Sequence, residues 1–263
     1  LMPVDLSVLP DKIRAKALEM SANIDFMQLI QKGGNGYVLV GRNRVLDRNV
    51  VVKFYYWGNG DHAEPAHLAQ MQSDSILTVS HAEALDEEDA FFMTPFCEHG
   101  DLDDAIARGI LGPVEAVDAL LQIASGVSYL HAEGYLHRDL KPSNIFCVEA
   151  RHFVLGDFGS VVRKNAEGFA KTITRHALLY RPPEEIRERR SYEQGDIYQL
   201  GLILFQLLGG NLPYEEVNWL TARQRREYDV KCQTERQFYA TQIIEELITR
   251  GRLADIAVIS SAR

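Results

Sequence analysis

His137-Arg138-Asp139-Leu140-Lys141-Pro142-Ser143-Asn144 gathers a carboxylate, two cations, an imidazole and an amide into one short stretch. Phosphoryl transfer asks little covalent chemistry of a protein and much positioning: a carboxylate near the nucleophile, cations near the phosphates, and hard oxygen ligands for a divalent metal. Each part has a candidate here. Asp139 can take the proton of an incoming hydroxyl, Lys141 can reach the transferring group, and Asn144 can offer a carbonyl oxygen to Mg²⁺. Downstream, Asp157-Phe158-Gly159 adds a carboxylate followed by a glycine that lets the backbone turn. Asn144 and Asp157 together suit one divalent ion.

Outward from this stretch the periodicities change. Ile145-Phe146-Cys147 and His152-Phe153-Val154-Leu155 read as two short strands that set Asn144 and Asp157 at adjacent ends. Residues 114 to 132 carry apolar positions at helical spacing and predict a long buried helix just before the loop. Upstream, from Phe26, the pattern is strand, glycine turn, strand and a third β-rich run ending at Lys53, which predicts a small antiparallel sheet. Glycines in such a turn let backbone amides approach phosphate oxygens. Ahead of the sheet, Pro10-Asp11 opens a short helix with apolar Ile13, Leu18 and Met20.

HRDLKPSN followed by DFG resembles the catalytic loop and metal-binding triplet of eukaryotic-type protein kinases, in a serine/threonine-like form because Lys141-Pro142 follows Asp139. The resemblance implies an α+β, bilobal fold with a small antiparallel β-rich N-lobe and a larger, mainly helical C-lobe. Residues 1–21 form an N-terminal extension with a short helix, 22–97 the N-lobe and 98–263 the C-lobe. It also implies ATP and Mg²⁺ as cofactors and a protein substrate. The catalytic set carried over is Asp139 as base, Lys53, Lys141, Glu64 and Arg138, with Glu64 on the helix after Lys53 as the partner of that lysine. Pro65 requires that helix to begin right there. Ile76 and Val79 are then expected to start the next strand.

The nucleotide-binding set is Gly33, Gly36, Val38, Val51, Lys53, Thr94, Phe96, Cys97 and Phe146, and the metal ligands are Asn144 and Asp157. Against the family's glycine loop, Gly33, Gly36 and Val38 match, while Gln31 and Asn35 depart from it. Val51 and Phe146 are bulkier than the usual residues, so a tight adenine slot is expected. Pro95 has no N–H, which leaves the Cys97 backbone for the adenine and its thiol as a covalent handle. Asp196 matches the acid that anchors the catalytic-loop backbone, and Arg181-Pro182-Pro183-Glu184 ends the activation segment. Arg138 is expected either to receive a phosphate from Thr172 or Thr174 or simply to brace the loop. Ala177 stands where a threonine commonly supports the loop lysine. Beyond Pro213 the resemblance fades, and Arg250 or Arg252 is the candidate partner of the segment's last glutamate.

The chain has 263 residues, 46% hydrophobic and 25% charged, as in a globular protein. A net charge of −9 argues against a nucleic-acid surface. The apolar run at Leu200–Leu208 is too short to span a bilayer, no leader pattern is read, and no membrane segment is expected. Cys97, Cys147 and Cys232 lack a C-x-x-C pair, which suits reduced thiols and a cytoplasmic setting, an injected effector being the alternative. Two other readings compete: a pseudokinase scaffold without catalysis, and a small-molecule kinase, which Arg138 and the RPPE ending disfavour.

Overall fold

The computed structural model describes residues 4–33, 36–58, 62–109, 111–171, 180–182, 185 and 188–209. Five strands form one antiparallel sheet, β1 (Ile24–Gly33), β2 (Gly36–Asn43), β3 (Arg48–Tyr56), β4 (His81–Ala84) and β5 (Asp89–Pro95), in the order β1-β2-β3-β5-β4. The β1–β2 hairpin closes on Gly33 opposite Gly36. Gly36 has φ 101° and a Cβ there would overlap the Phe54 carbonyl oxygen, so this position admits only glycine.

Alternation along β3 divides the sheet into two working faces. Val50, Val52 and Phe54 pack with Phe26, Leu39, Phe91 and Met93 on the outer face. Helix α1 (Asp11–Met20) covers that face through Ile13 and Ala17, one turn apart. Leu18, expected to join them, is 58% exposed because it falls on the opposite side of the helix. Lys12 pairs with Asp86 and Asp89, and Lys16 with Glu83, which ties α1 to the β4–β5 hairpin. Val51 and Lys53 face the other way, into the cleft.

The second lobe contains α3 (Leu102–Ala107), α4 (Pro113–Ala132), paired β7 (Ile145–Glu149) and β8 (His152–Leu155), and α5 (Glu193–Gly209). Asp101 and Asp104 form a reciprocal capping box on α3. Helix α4 starts on Pro113 and buries Ala116, Ala119, Leu120, Ile123, Ala124, Val127 and Leu130, a continuous apolar stripe. Four two-residue strands complete the described chain: β6 (Tyr135–Leu136) pairs with β9 (Val162–Arg163), and β10 (Ala170–Lys171) with β11 (Arg190–Ser191). Between the sheet and the second lobe runs α2 (Pro65–Gln70).

Ile76 and Val79 do not start a strand. The segment instead lies along β8, with Leu155 N–H donating to Ser75 O at 3.0 Å and Leu77 N–H donating to Leu155 O at 2.7 Å. A connector buried against the second lobe satisfies its backbone there rather than in the sheet. Gly126 of α4 is what lets it approach, since a Cβ would stand 2.5 Å from Ser75 O and 3.1 Å from Leu155 Cβ. Gly126→Val is therefore expected to destabilise the fold by about 1–3 kcal/mol, the usual cost of overpacking. Denaturant unfolding checks it, and an unchanged midpoint would contradict this contact.

Candidate active site

The loop between β6 and β7 carries the site, and its backbone hangs on Asp196 in the first turn of α5. Asp196 Oδ2 accepts the His137 N–H at 2.9 Å and Oδ1 the Arg138 N–H at 2.8 Å, while His131 Nε2 lies 2.8 Å from Oδ2. Burial pushes the Asp196 carboxyl up, but the bond to His131 and the neighbouring imidazoles outweigh it and hold the group below its ordinary range. Arg138 takes φ 69°, a left-handed conformation that an arginine adopts only when its surroundings impose it. Gln199, one turn further along α5, accepts the Leu140 N–H at 2.9 Å and donates to Arg138 O at 3.0 Å and Tyr180 O at 3.1 Å. Gln199 was not foreseen; the available signal was a polar residue inside the apolar run GDIYQLGLILF.

This frame fixes Asp139, buried beside Lys141 and Asn144. Its Oδ2 accepts from Lys141 Nζ at 3.0 Å and from Asn144 Nδ2 at 3.1 Å. Its Oδ1 is buried and accepts no hydrogen bond among the described residues. Asn144 Nδ2 also donates to Asp139 O at 2.7 Å, which commits the amide nitrogen and turns its carbonyl oxygen outward as an acceptor. Gly156 N–H donates to Asn144 O at 2.9 Å, and Ile145 pairs with Leu155, so the ends of β7 and β8 bring Asp157 next to Asn144. Asp157 has φ 54° and caps a 3₁₀ turn over Phe158–Ser160.

Lys53 of β3 reaches across the cleft to Asp157 and pairs with its Oδ1. Burial pushes the Asp157 carboxyl up, and the Lys53 charge and hydrogen bond more than reverse that, lowering it. Lys53 Nζ would lie only 3.3 Å from a Cβ on Gly159, so the glycine of the triplet makes room for the ion pair. Glu64 is not brought to Lys53. It caps the N-terminus of α2 in an extended conformation, its side chain is 58% exposed, and its carboxylate lies 3.5 Å from His67. Pro65 explains this: it forces the helix to begin there, which leaves Glu64 as the extended cap before it, and a helix of six residues does not carry the glutamate inward.

A cavity of about 430 Å³ lies between the lobes. Val38, Val51, Lys53, Thr94, Phe96, Cys97, Phe146, Lys141, Asn144 and Asp157 line it, and so do Ile30 and Leu77, which had not been singled out. Val51 and Phe146 contribute to the same slot. Phe146 packs so closely over Gly156 that a Cβ there would meet its ring at 2.6 Å. In the strand connecting the lobes, the Phe96 N–H is used by Asn49 O at 3.1 Å. Burial pushes the Cys97 thiol up to about 11, with Cys147 nearby adding to the shift, so at neutral pH it is a thiol rather than a nucleophilic thiolate. Gly33 and Gly36 lie at the β1–β2 turn. Arg138 donates from Nε to Ser160 O at 2.8 Å and from Nη1 to Lys171 O at 3.4 Å. Thr172, Thr174, Arg175, Ala177, Glu184, Cys232, Arg250 and Arg252 lie outside the described residues.

A β-rich lobe and a helical lobe flank a cleft lined by Lys53, Asp157 and Asn144, with Asp139 hydrogen-bonded to Asn144, a set of groups suited to phosphoryl transfer from a nucleotide. The model of the protein kinase domain matches residues 24–251, and the chain belongs to the eukaryotic-type protein kinase family. The mouse (Mus musculus) interferon-induced, double-stranded RNA-activated protein kinase is 30% identical over 226 residues, covering 77% of this chain and 44% of the relative. Serine/threonine-protein kinase PrkC of Bacillus subtilis is 26% identical over 205 residues, covering 74% and 32%. Serine/threonine-protein kinase PknL of Mycobacterium tuberculosis is 28% identical over 225 residues, covering 80% and 56%. The chain thus spans roughly a third to just over half the length of these relatives.

The different placements of Glu64 and Asp157 around Lys53 lead to a clear contrast. Lys53→Met should abolish phosphoryl transfer, whereas Glu64→Gln, an exposed change, should alter kcat by no more than about threefold, as surface substitutions usually cost within ±0.5 kcal/mol. Steady-state kinetics on the two variants decide it; a Glu64→Gln enzyme as dead as Lys53→Met would show that the glutamate reaches the lysine during turnover.

Proposed function

We propose that this chain transfers the γ-phosphoryl of ATP to serine or threonine hydroxyls of protein substrates. The observation that carries the reading is the pair of oxygens on Asp139. Oδ2 is held by Lys141 and Asn144, while Oδ1 is buried and has no donor among the described residues. A buried carboxylate oxygen left unpaired is costly, and a substrate hydroxyl is the donor that completes it. Asp139 then orients the hydroxyl and takes its proton as the phosphoryl group arrives. Lys141, beside the same carboxylate, stands ready to neutralise the transferring group. Lys53 supplies a cation to the nucleotide's phosphates from the opposite wall.

Mg²⁺ fits the donors present. One carboxylate, Asp157, and one oriented amide oxygen, Asn144, flank the cavity, and a magnesium ion commonly takes one or two protein oxygens and completes its shell with phosphates and water. Among the described residues no cluster of three or more His, Cys, Asp or Glu side chains forms a metal cage, which agrees with an ion shared with a nucleotide. When bound, the ion would neutralise charge developing between the phosphates. Adenine would lie between Val51 and Phe146 with the Cys97 backbone as its contact, since the Phe96 N–H is occupied and Pro95 has none. The scaffold reading finds no support, because Lys53, Asn144 and Asp157 line one cleft and Asp139 is hydrogen-bonded to Asn144.

Among the described residues no helix is long and apolar enough to cross a membrane, and we propose a cytoplasmic setting because Cys97 and Cys147 form no disulfide among the described residues. Asp139→Asn is expected to lower kcat by 10² or more, the scale of comparable single-group losses, with ATP affinity unchanged because the carboxylate faces the acceptor. Isothermal titration with ATP and Mg²⁺ beside a radiolabelled transfer assay checks both halves; an equal loss of nucleotide binding would refute the role. Val51→Ala should admit inhibitors with thick ring systems that the wild-type slot excludes, the relief of overpacking being about 1–3 kcal/mol. Competition binding with a bulky and a flat inhibitor reads it, and identical affinities in both enzymes would argue against the slot.

A further inference from the structure

Gln199 is 1% exposed and lies on α5 among buried Leu200, Leu202, Ile203 and Leu204. A buried carboxamide is costly unless its donors and acceptor are met. Those of Gln199 are: Oε1 accepts the Leu140 N–H at 2.9 Å, and Nε2 donates to Arg138 O at 3.0 Å and to Tyr180 O at 3.1 Å. Arg138 O belongs to the peptide plane before the Asp139 Cα, and the Leu140 N–H to the plane after it. A residue has two soft backbone dihedrals, so a side chain that grips both flanking planes fixes φ and ψ of Asp139 and the direction of its side chain. The neighbouring contacts each do less. Asp196 bonds the His137 and Arg138 amides, which lie in the two planes around His137. Asn144 and His137 each touch one plane of Asp139, through Asp139 O at 2.7 Å and through the Asp139 N–H, which donates to His137 Nδ1 at 3.4 Å. Gln199 spans both.

The same nitrogen ties this arrangement to Tyr180. Two carbonyl oxygens bonded to one nitrogen lie side by side, so the chain at Tyr180 runs beside the backbone of the base. Tyr180 is itself 8% exposed, and its hydroxyl donates to Gln206 Oε1 at 2.6 Å. Gln206, seven residues after Gln199, stands about two turns further along the same face of α5, so two glutamines hold the tyrosine at its carbonyl and at its ring. We propose that Gln199 is a positioning residue: its carboxamide sets the direction of Asp139 and the spacing between Asp139 and the Tyr180 chain, the edge along which a polypeptide acceptor presents its hydroxyl. This rests on the reading of Asp139 as the acceptor base. A fully satisfied buried network rigidifies what it joins. Lys53 and Asp157 pair with each other on the nucleotide side and make no bond to Gln199. Loss of the carboxamide therefore acts on the acceptor half of the reaction and spares ATP binding.

The experiment sets wild type beside Gln199→Met on a serine-containing peptide, with thermal unfolding and ATP titration run alongside. Methionine keeps the length and apolar packing of the side chain and offers none of the three bonds. Gln199→Met should lower kcat about tenfold, the scale of a small misplacement of catalytic groups. It should also raise the peptide KM about threefold, the scale of one hydrogen bond, at an unchanged Kd for ATP. A merely structural role would lower the folded fraction and leave the peptide KM of the remaining enzyme where it was. A folded Gln199→Met enzyme whose kcat or peptide KM matches wild type, or whose ATP affinity falls with its kcat, overturns the proposal. In an Asp139→Asn background the same change should cost kcat little, because the group it positions is gone; the full loss in both backgrounds overturns it as well. Asp139→Asn alone keeps the two readings separable, since turnover retained there sinks the base assignment whatever Gln199→Met does. If Gln199→Met does not fold, amide exchange in the wild-type enzyme decides: the Leu140 N–H should exchange as slowly as the amides inside α5, and exchange at the rate of an open loop overturns the proposal.

Discussion

The carboxylate of Asp196 is the constraint from which the active site follows. Two consecutive amides, those of His137 and Arg138, donate to its two oxygens, and such a fork can be met only if the backbone between them turns sharply. Arg138 absorbs the turn at φ 69°. Holding a non-glycine residue there costs about 1–3 kcal/mol, which charge-assisted bonds to a fully buried acid offset. The residue after the turn is Asp139, so its direction is dictated by a helix start more than fifty residues later in the chain. Gln199 on the same helix repeats the device for Leu140 and extends it to Tyr180.

The second wall of the site is set by strand register. A one-residue slip of β3 would exchange Val51 and Lys53 for Val50 and Val52, and the register is pinned because the outer face is apolar and covered by α1. Helix α1 thus contributes to the cleft without touching it. Between the walls, the connector at Ser75–Leu77 bonds to Leu155 on both sides, and the next backbone bond, Gly156 to Asn144, leads straight to Asp157. The Lys53–Asp157 pair therefore joins two rigid elements, β3 and the end of β8, rather than two loops.

Much of this was legible in the residues themselves. Antiparallel hairpins, the long apolar stripe of α4 and the adjacent ends of β7 and β8 follow from local periodicity and turn chemistry, which each short segment carries on its own. So did the chemical types gathered at Asp139, Lys141, Asn144 and Asp157, because catalysis by positioning needs those groups whatever surrounds them. Pro65 even announced that α2 begins right after Glu64.

Tertiary structure decided which group meets which. Lys53 finds Asp157 and not Glu64, since a short helix with an exposed cap does not carry its glutamate inward, a fact of helix length and docking rather than of residue type. Ile76, apolar and β-branched, bridges to Leu155 of β8 because the second lobe offers backbone partners to this segment. Gln199 shows locally only as a polar residue inside an apolar run. Its significance comes from burial beside the backbone turn at Arg138, and burial is a property of the packed chain.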